Sequence, residues 1–284
     1  MIRSYLWQLI KRLVRCCPER LRLAFLEQPL IIPLDYTIGV KTPKIVAHSS
    51  EEYYIRARSA AKEPELVEWI RQMPEDAIFV DVGANVGTYS LIAGFCHHER
   101  TVISIEPSAL NYASLCMNIT HNECSNIFPV AVALGHQLRA CSWNSYYHPS
   151  LQPGASLFSY WGWDDPHISQ PQSWRSPYPG LRGGVHVSNN QYSFMLSRDY
   201  NVWTISLDEL WPQLGFAPPT HMKIDVDNCH ATKDILEGAW KTLKTVTHLV
   251  VESDEPLEIP GFKWYKTGSS GGKLDRNYFY WKTG

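Results

Sequence analysis

The sequence predicts an α/β fold built on a mostly parallel sheet with helices on both faces, preceded by an N-terminal helical extension. Three observations predict it. The stretch "AIFVDVGANVGTYS" is an apolar strand that runs through a glycine turn into a helical pattern. Two β–α units follow one another over residues 76–135, and each strand is apolar throughout, as strands buried on both faces are. The same alternation returns after residue 204.

The elements follow in chain order. "MIRSYLWQLIKRLVRCC", residues 1–17, places apolar side chains at 2, 5, 6, 9, 10, 13 and 14, with Arg3, Gln8, Lys11, Arg12 and Arg15 on the opposite face. This is the pattern of a basic amphipathic helix. It lacks the unbroken apolar core and A-x-A site of a secretory signal. Three readings stay open for it: a helix docked on the domain or on a second subunit of a homo-oligomer, a peripheral membrane-surface helix, and an organelle transit segment. "EQPLIIPLDYTIG" then reads as short strands, and "SAAKEPELVEWIRQM" as a helix opened by Pro64. Residues 1–75 form this extension and 76–284 the main domain.

In the main domain "AIFVDV", a helix from Asn85 to about Cys96, "TVISIEP", "SALNYASLCMNIT" and "IFPVAVAL" alternate strand and helix. Residues 136–203 break the rhythm. They are rich in Trp, Tyr, Ser, Pro and Gly, carry few charges, and keep neither a helical nor a strand period. They read as a long functional insert. Beyond it come "TISLDELWPQL", the strand "HMKIDVD", the helix "ATKDILEGAWKTL" and the strand "THLVVESD". "FKWYKTGSSGGKLDRNYFYWK" reads as an antiparallel edge hairpin around a Gly/Ser turn.

Bulk properties narrow the function. With 44% hydrophobic and 19% charged residues among 284, the chain is a folded protein, and its net charge of -2 gives no global affinity for nucleic acid. The insert lacks clustered Lys and Arg, so nucleic acid is not an expected partner. Seven cysteines without C-x-x-C spacing fit a reduced, cytoplasmic location and neither a disulfide framework nor a zinc ribbon. No run of 18 apolar residues is present. His97-His98 are adjacent on a helical pattern and point to different sides, so they read as surface residues.

The chemistry starts at "DVGANVGTYS". Gly83 and Gly87 permit a tight turn, but Asn85 stands where a dinucleotide fingerprint has its middle glycine, which must admit a pyrophosphate. The next strand ends in Glu106, 19 residues after Gly87, where an acid accepts both ribose hydroxyls and repels a ribose phosphate. A nucleoside with a free ribose diol and no phosphate satisfies these constraints, and S-adenosylmethionine is such a ligand.

"FVDVGANVGTYSLIA", "ISIEPSALNYASLCMNI", "VAVAL", "TISLDEL" and "MKIDVDNCHATKDILEGA" occur in the order and spacing of the FkbM-like S-adenosylmethionine-dependent methyltransferases, which the chain resembles from about residue 62 to 255. The resemblance implies a class I methyltransferase fold, Rossmann-like, with a seven-stranded mostly parallel sheet and one antiparallel strand near the edge. It implies methyl transfer to oxygen, often a sugar hydroxyl. Carried over by position, Asp81, Gly83, Asn85 and Gly87 line the methionine moiety, Glu106 holds the ribose, and Ser108 touches the adenosine while capping the next helix. The family follows its fourth strand with D-V-E/D-G-x-E. Here "DVDNCH" keeps Asp225 and Asp227, but Asn228 replaces the glycine and His230 the closing acid. Asp225, Asp227 and His230 are the expected catalytic residues, with the histidine able to act as base near neutral pH.

Two rival readings remain at this stage. A D-x-D pair ending a strand can hold Mg²⁺ or Mn²⁺ against a nucleotide-sugar, as in metal-dependent glycosyltransferases, and a divalent cation at Asp225, Asp227 and His230 is compatible with a methyltransferase as well. An inactive relative would keep the fold as a binding module. For the acceptor, the expectation is a glycan, a glycolipid or a small molecule. Trp161, Trp163 and Trp174 either stack on sugar faces or anchor the insert to the body.

Overall fold

The structure is a computed structural model that describes residues 30–37, 41–47, 58–147, 156–161, 174–175, 181–188, 191–226, 229–267 and 276–283. The basic segment 1–17 and Asp227 lie outside the described residues.

The extension contributes an antiparallel pair, β1 (Leu30–Pro33) and β2 (Lys44–Ala47), and two helices, α1 (Ser59–Lys62) and α2 (Pro64–Gln72). Pro64 sits at the start of α2, where its missing N–H costs nothing. Then come β3 (Ile78–Val82), α3 (Thr88–Cys96), β4 (Thr101–Ile105), α4 (Ala109–His121), β5 (Ile127–Val130) and β6 (Ala133–Leu134). After the insert, α5 (Leu207–Leu214) is opened by a reciprocal capping box between Ser206 and Glu209 and closed by Gly215 at φ 73°.

The main sheet has the order β5-β4-β3-β12-β13-β15-β14, where β12 is His221–Ile224, β13 His248–Glu252, β14 Phe262–Tyr265 and β15 Asn277–Lys282. β15 runs antiparallel to both neighbours; the other pairings in this sheet are parallel. The expected seven strands with one antiparallel member next to the edge are therefore present. Strand order reverses between β3 and β12, so a crevice opens at their carboxyl ends.

Both faces of the sheet are covered. On one, α2, α3 and α4 pack Leu66, Ile70, Leu91, Ile92 and Leu115 against Phe79, Val250 and Phe279. On the other, α5 and α6 (Cys229–Gly238) pack Leu207, Leu210 and Ile235 against Val80, Ile103, Met222 and Tyr280. Asn118, which heads a formal glycosylation sequon, is buried. Its amide donates to Val86 O and accepts from Val46 N, and it ties β2 to α4.

Arg100 is a fully buried cation. Its guanidinium donates to the carbonyls of Ile70, Met73, Pro74 and Ala93, the ends of α2 and α3 and the turn beyond α2. The helix-end carbonyls lie at the negative ends of the dipoles, and those of Ile70 and Pro74 also accept from Met73 N and Ala77 N.

Two expectations need correction. The stretch "IFPVAVAL" is not one strand: β5 stays in the main sheet, and β6 leaves it to pair in parallel with the end of β11 (Gln191–Ile205). Residues 136–203 are not without regular structure. β7 (Arg139–Tyr147), β8 (Ser156–Trp161), β9 (Trp174–Arg175), β10 (Leu181–Ser188) and β11 form an antiparallel sheet. Trp, Tyr, Val and Thr favour extended backbone even where no polar–apolar alternation reveals it. The 15-residue β11 supplies the ladder, pairing with β10 along its first part and with β7 beyond.

Candidate active site

The turn between β3 and α3 is built from three residues in left-handed conformation: Gly83 at φ 77°, Asn85 at φ 53° and Gly87 at φ 92°. Asparagine is among the few side-chain-bearing residues that accept this geometry, which accounts for Asn85 in a glycine position. Glycine is obligatory at Gly83 for a second reason. A Cβ there would lie 1.9 Å from the carbonyl oxygen of Asp225, so the turn after β3 rests on the backbone that ends β12.

Glu106, at the end of β4, is 2% exposed. Its Oε1 accepts from Ser108 N at 2.8 Å and from Asn111 Nδ2 at 3.4 Å, and its Oε2 from Asn85 N at 2.8 Å, so it holds the turn while Oε2 keeps a lone pair. Burial pushes its carboxyl up to about 7, against the pull of those backbone donors. Ser108 stands at the N-cap position of α4, but its hydroxyl makes no capping bond. It is buried without a partner among the described residues. Such a group calls for a ligand or water.

A buried polar network lies beside this turn. Asp81 Oδ2 accepts from Ser90 Oγ at 2.6 Å, and Ser90 in turn accepts from Ser104. Lys223, aligned with Asp81 across β3 and β12, is 1% exposed. Its ammonium is 2.9 Å from Asp225 Oδ2, 3.5 Å from Asp81 Oδ1, and 5.2 Å from the centre of the Tyr89 ring. Burial alone would strip its proton; Asp225 and Asp81 reverse this and hold its pKa above the ordinary lysine value. Burial likewise would raise Asp225, but the Lys223 ammonium beside it holds that carboxyl down at about 2. The Tyr89 hydroxyl donates to Glu63, which also accepts from Asn277 Nδ2 at 3.1 Å.

The structure thus gathers Asp81, Gly83, Asn85, Gly87, Glu106, Ser108 and Asp225 around one crevice. His230 is exposed on the first turn of α6. Lys223, Tyr89, Glu63 and Glu252 were missed in the sequence. The one available signal was a lysine inside the apolar run "HMKI", two residues before Asp225 and so on the same strand face. His97 lies 3.5 Å from Glu75 at the surface.

A glycine turn at the switch point, a buried acid ending the second strand and a seven-stranded sheet with one antiparallel member define a Rossmann-like class I methyltransferase. The chain belongs to the FkbM methyltransferase family: the Methyltransferase FkbM domain matches residues 81–273. Its methyl donor is S-adenosylmethionine. The residues present fit that donor: Glu106 Oε2 keeps a lone pair for a ribose hydroxyl, and the buried Ser108 hydroxyl beside it lacks a partner among the described residues. Similar solved structures include precorrin-6y C5,15-methyltransferase from Geobacter metallireducens (11% identity, 78% of this chain and 86% of that one, TM-score 0.41). Fibrillarin from Aeropyrum pernix with bound S-adenosyl-L-methionine is another (8%, 77% and 74%, TM-score 0.40), as is an rRNA methylase from Streptococcus thermophilus (9%, 80% and 98%, TM-score 0.39). No curated protein matches the chain.

Proposed function

We propose that the chain is an O-methyltransferase that methylates a hydroxyl of a glycan or glycolipid. The observation that carries this reading is the contact between the two halves of the crevice. The turn assigned to the methyl donor packs at Gly83 directly on Asp225, where β12 ends and the acceptor side begins. Methyl transfer to an alcohol needs an acceptor oxygen held in line and a group to take its proton; both are matters of positioning and pKa. Asp225 and Glu252 stand at the carboxyl ends of β12 and β13, with Asn277 paired to Glu252, and an acceptor entering there would meet polar groups that suit a hydroxyl-bearing ligand better than an apolar one. The Trp- and Tyr-rich insert supplies flat faces of the kind that pack on sugar rings, and its low content of Lys and Arg disfavours a phosphate backbone.

The test is transfer of labelled methyl groups onto cell-envelope glycan fractions, with protein and RNA fractions as controls, by wild type and Trp163→Ala. Label on glycans that falls at least tenfold in the variant is expected; label on RNA or protein alone overturns the acceptor. In the same reading the basic segment 1–17 holds the enzyme at an anionic lipid surface. Deleting residues 1–25 should abolish sedimentation with phosphatidylserine vesicles and leave donor affinity unchanged.

A further inference from the structure

A buried lysine is a costly way to fill a strand. Lys223 is 1% exposed within "HMKI", where an apolar side chain would pack without a charge to desolvate. What it meets there is a pair of acids from two different segments. Asp81, aligned with it across the β3–β12 ladder, lies 3.5 Å from the ammonium. Asp225, two residues on along the same face, accepts a hydrogen bond from it at 2.9 Å. The Tyr89 ring closes the ammonium from the α3 side at 5.2 Å, and the Tyr89 hydroxyl donates to Glu63. Glu63 also accepts from Asn277 on β15, so the cover is fixed from both the extension and the sheet.

The two acids are not held alike. Asp81 is fully buried, and its other oxygen accepts from Ser90, which is bonded in turn to Ser104. Asp225 stands at the rim: its side chain is 25% exposed, and its backbone carbonyl supports the donor turn at Gly83. Without the ammonium, two carboxylates that share one nitrogen would face each other directly and repel. Asp81 is kept in place by Ser90 and the core around it. Asp225 is free to turn toward solvent, and its carboxylate would leave the crevice.

We propose that Lys223 is a positioning residue for methyl transfer: from between Asp81 and Asp225 it fixes the acceptor-side carboxylate against the donor turn. It acts on the acceptor only through Asp225. An acceptor hydrogen-bonded to Asp225 is thereby held at a set distance from the donor, and in-line transfer is steeply sensitive to that distance. The inference rests on Asp225 facing the acceptor, as in the reading above, and not on the chemical class of the acceptor.

Turnover is measured with whichever of the glycan, protein and RNA fractions the wild type labels, so loss of the glycan reading leaves the test intact. Lys223→Met should lower kcat about a hundredfold, while affinity for S-adenosylmethionine, read by calorimetry, stays within about threefold. A role in the fold alone would instead weaken donor binding in step with kcat, because the donor turn leans on Asp225. Lys223→Arg, which keeps the charge in a bulkier group, should recover about a tenth or more of the wild-type kcat. A second variant combines Lys223→Met with Asp225→Asn. It removes cation and acid together and keeps the net charge of the cluster, so it folds without a new unpaired charge. If Lys223 acts through Asp225, this double variant turns over within about twofold of Asp225→Asn alone. Losses that multiply, a wild-type kcat in Lys223→Met, or donor affinity that falls with kcat overturns the proposal. Lysine-labelled protein reads the contact without an acceptor. A slowly exchanging Nζ signal that is absent in Lys223→Met and shifted in Asp225→Asn is expected, and no such signal overturns the proposal.

Discussion

Glu106 fixes the turn after β3 and is the side chain expected to hold the ribose of the donor. Its two oxygens fix Asn85 and Ser108, the first residue inside the donor turn and the residue that opens α4. Burial raises its carboxyl to about 7, so near neutral pH about half of the molecules carry a proton there. Ribose hydroxyls donate to the ionised form and so favour it. Donor binding should therefore release a proton below pH 7, and affinity should rise as pH increases from 6 to 8. Calorimetry in buffers of different ionisation heat would detect that proton. Glu106→Gln should bind more weakly, by about tenfold or more, with no pH dependence across this window. A wild-type affinity that is flat from pH 6 to 8 would show that Glu106 does not titrate there. Asp81, Gly83 and Gly87 were legible in the sequence because a turn is local chemistry: its backbone angles are written in seven consecutive residues. Lys223, Tyr89 and Glu63 were not. Their network joins segments from residue 63 to residue 277, and no spacing rule reaches across that distance.

Elements show a similar division. The parallel strands of the main sheet were legible from their apolar runs, the last two from an aromatic pair around a Gly/Ser turn, and α2 from its opening Pro64. The insert strands were not, since a strand without polar–apolar alternation has no signature beyond composition. Arg100 is the element-scale surprise, as a cation buried without a carboxylate. Replacing it with methionine removes the guanidinium from the buried carbonyls of Met73 and Ala93 and a second donor from those of Ile70 and Pro74, at a cost of about 3 kcal/mol or more. Thermal unfolding of Arg100→Met should fall by roughly 6–12 °C, while the folded fraction keeps its donor affinity. An unchanged midpoint would mean that water replaces the guanidinium at no cost.

The amino ends of β12 and β13 make a second element-scale prediction. His221 stacks on His248 with ring centres 5.1 Å apart, and burial next to that ring pulls His221 down to about 4. The unfolded chain, with an ordinary histidine near 6.5, binds a proton between pH 4 and 6.5 that the folded chain does not. This contribution is complete above pH 6.5 and is lost as pH falls toward 4, to the extent of about 3 kcal/mol. Glu106 works in the opposite sense: its raised carboxyl stabilises the fold at low pH, and that stability is lost as pH rises from 4.5 through 7. The two slopes oppose each other in the wild type. The informative quantity is the difference between wild type and His221→Leu in denaturant unfolding, which should grow in favour of wild type from pH 4 to 6.5. A constant difference would mean the histidine pair does not titrate in the folded protein.

At the scale of the whole molecule, the insert is a second sheet carried by the first at a narrow base. β6 and the end of β11 lie side by side, Ala133 against Thr204 and Leu134 against Ile205, so the chain leaves and returns at one place. The base is secured from three sides. Gly135 and Gly238 approach so closely that a Cβ on Gly238 would sit 2.1 Å from the Gly135 carbonyl oxygen. His136 and Arg139 both reach Asp234 on α6. Thr204 donates to the Gln137 carbonyl at 2.9 Å. These contacts use residues up to 139 and from 204 onward, and the next pair outward is Ala140 with Trp203. Paired residues of an antiparallel ladder are about 5 Å apart, so a two-residue Asn-Gly turn joining Ala140 to Trp203 would close the chain without strain. Both cores draw their residues from before 135 and after 204. The shortened protein should therefore fold, and it should bind S-adenosylmethionine with an affinity within about threefold of the full chain. On the proposed reading it should fail to methylate the glycan fraction that the full chain labels, because the Trp- and Tyr-rich segment assigned to the acceptor has gone. Retained transfer at the wild-type rate would assign the insert to some other partner. Loss of donor binding in a folded variant would mean the second sheet reaches back over the donor crevice and forms part of it.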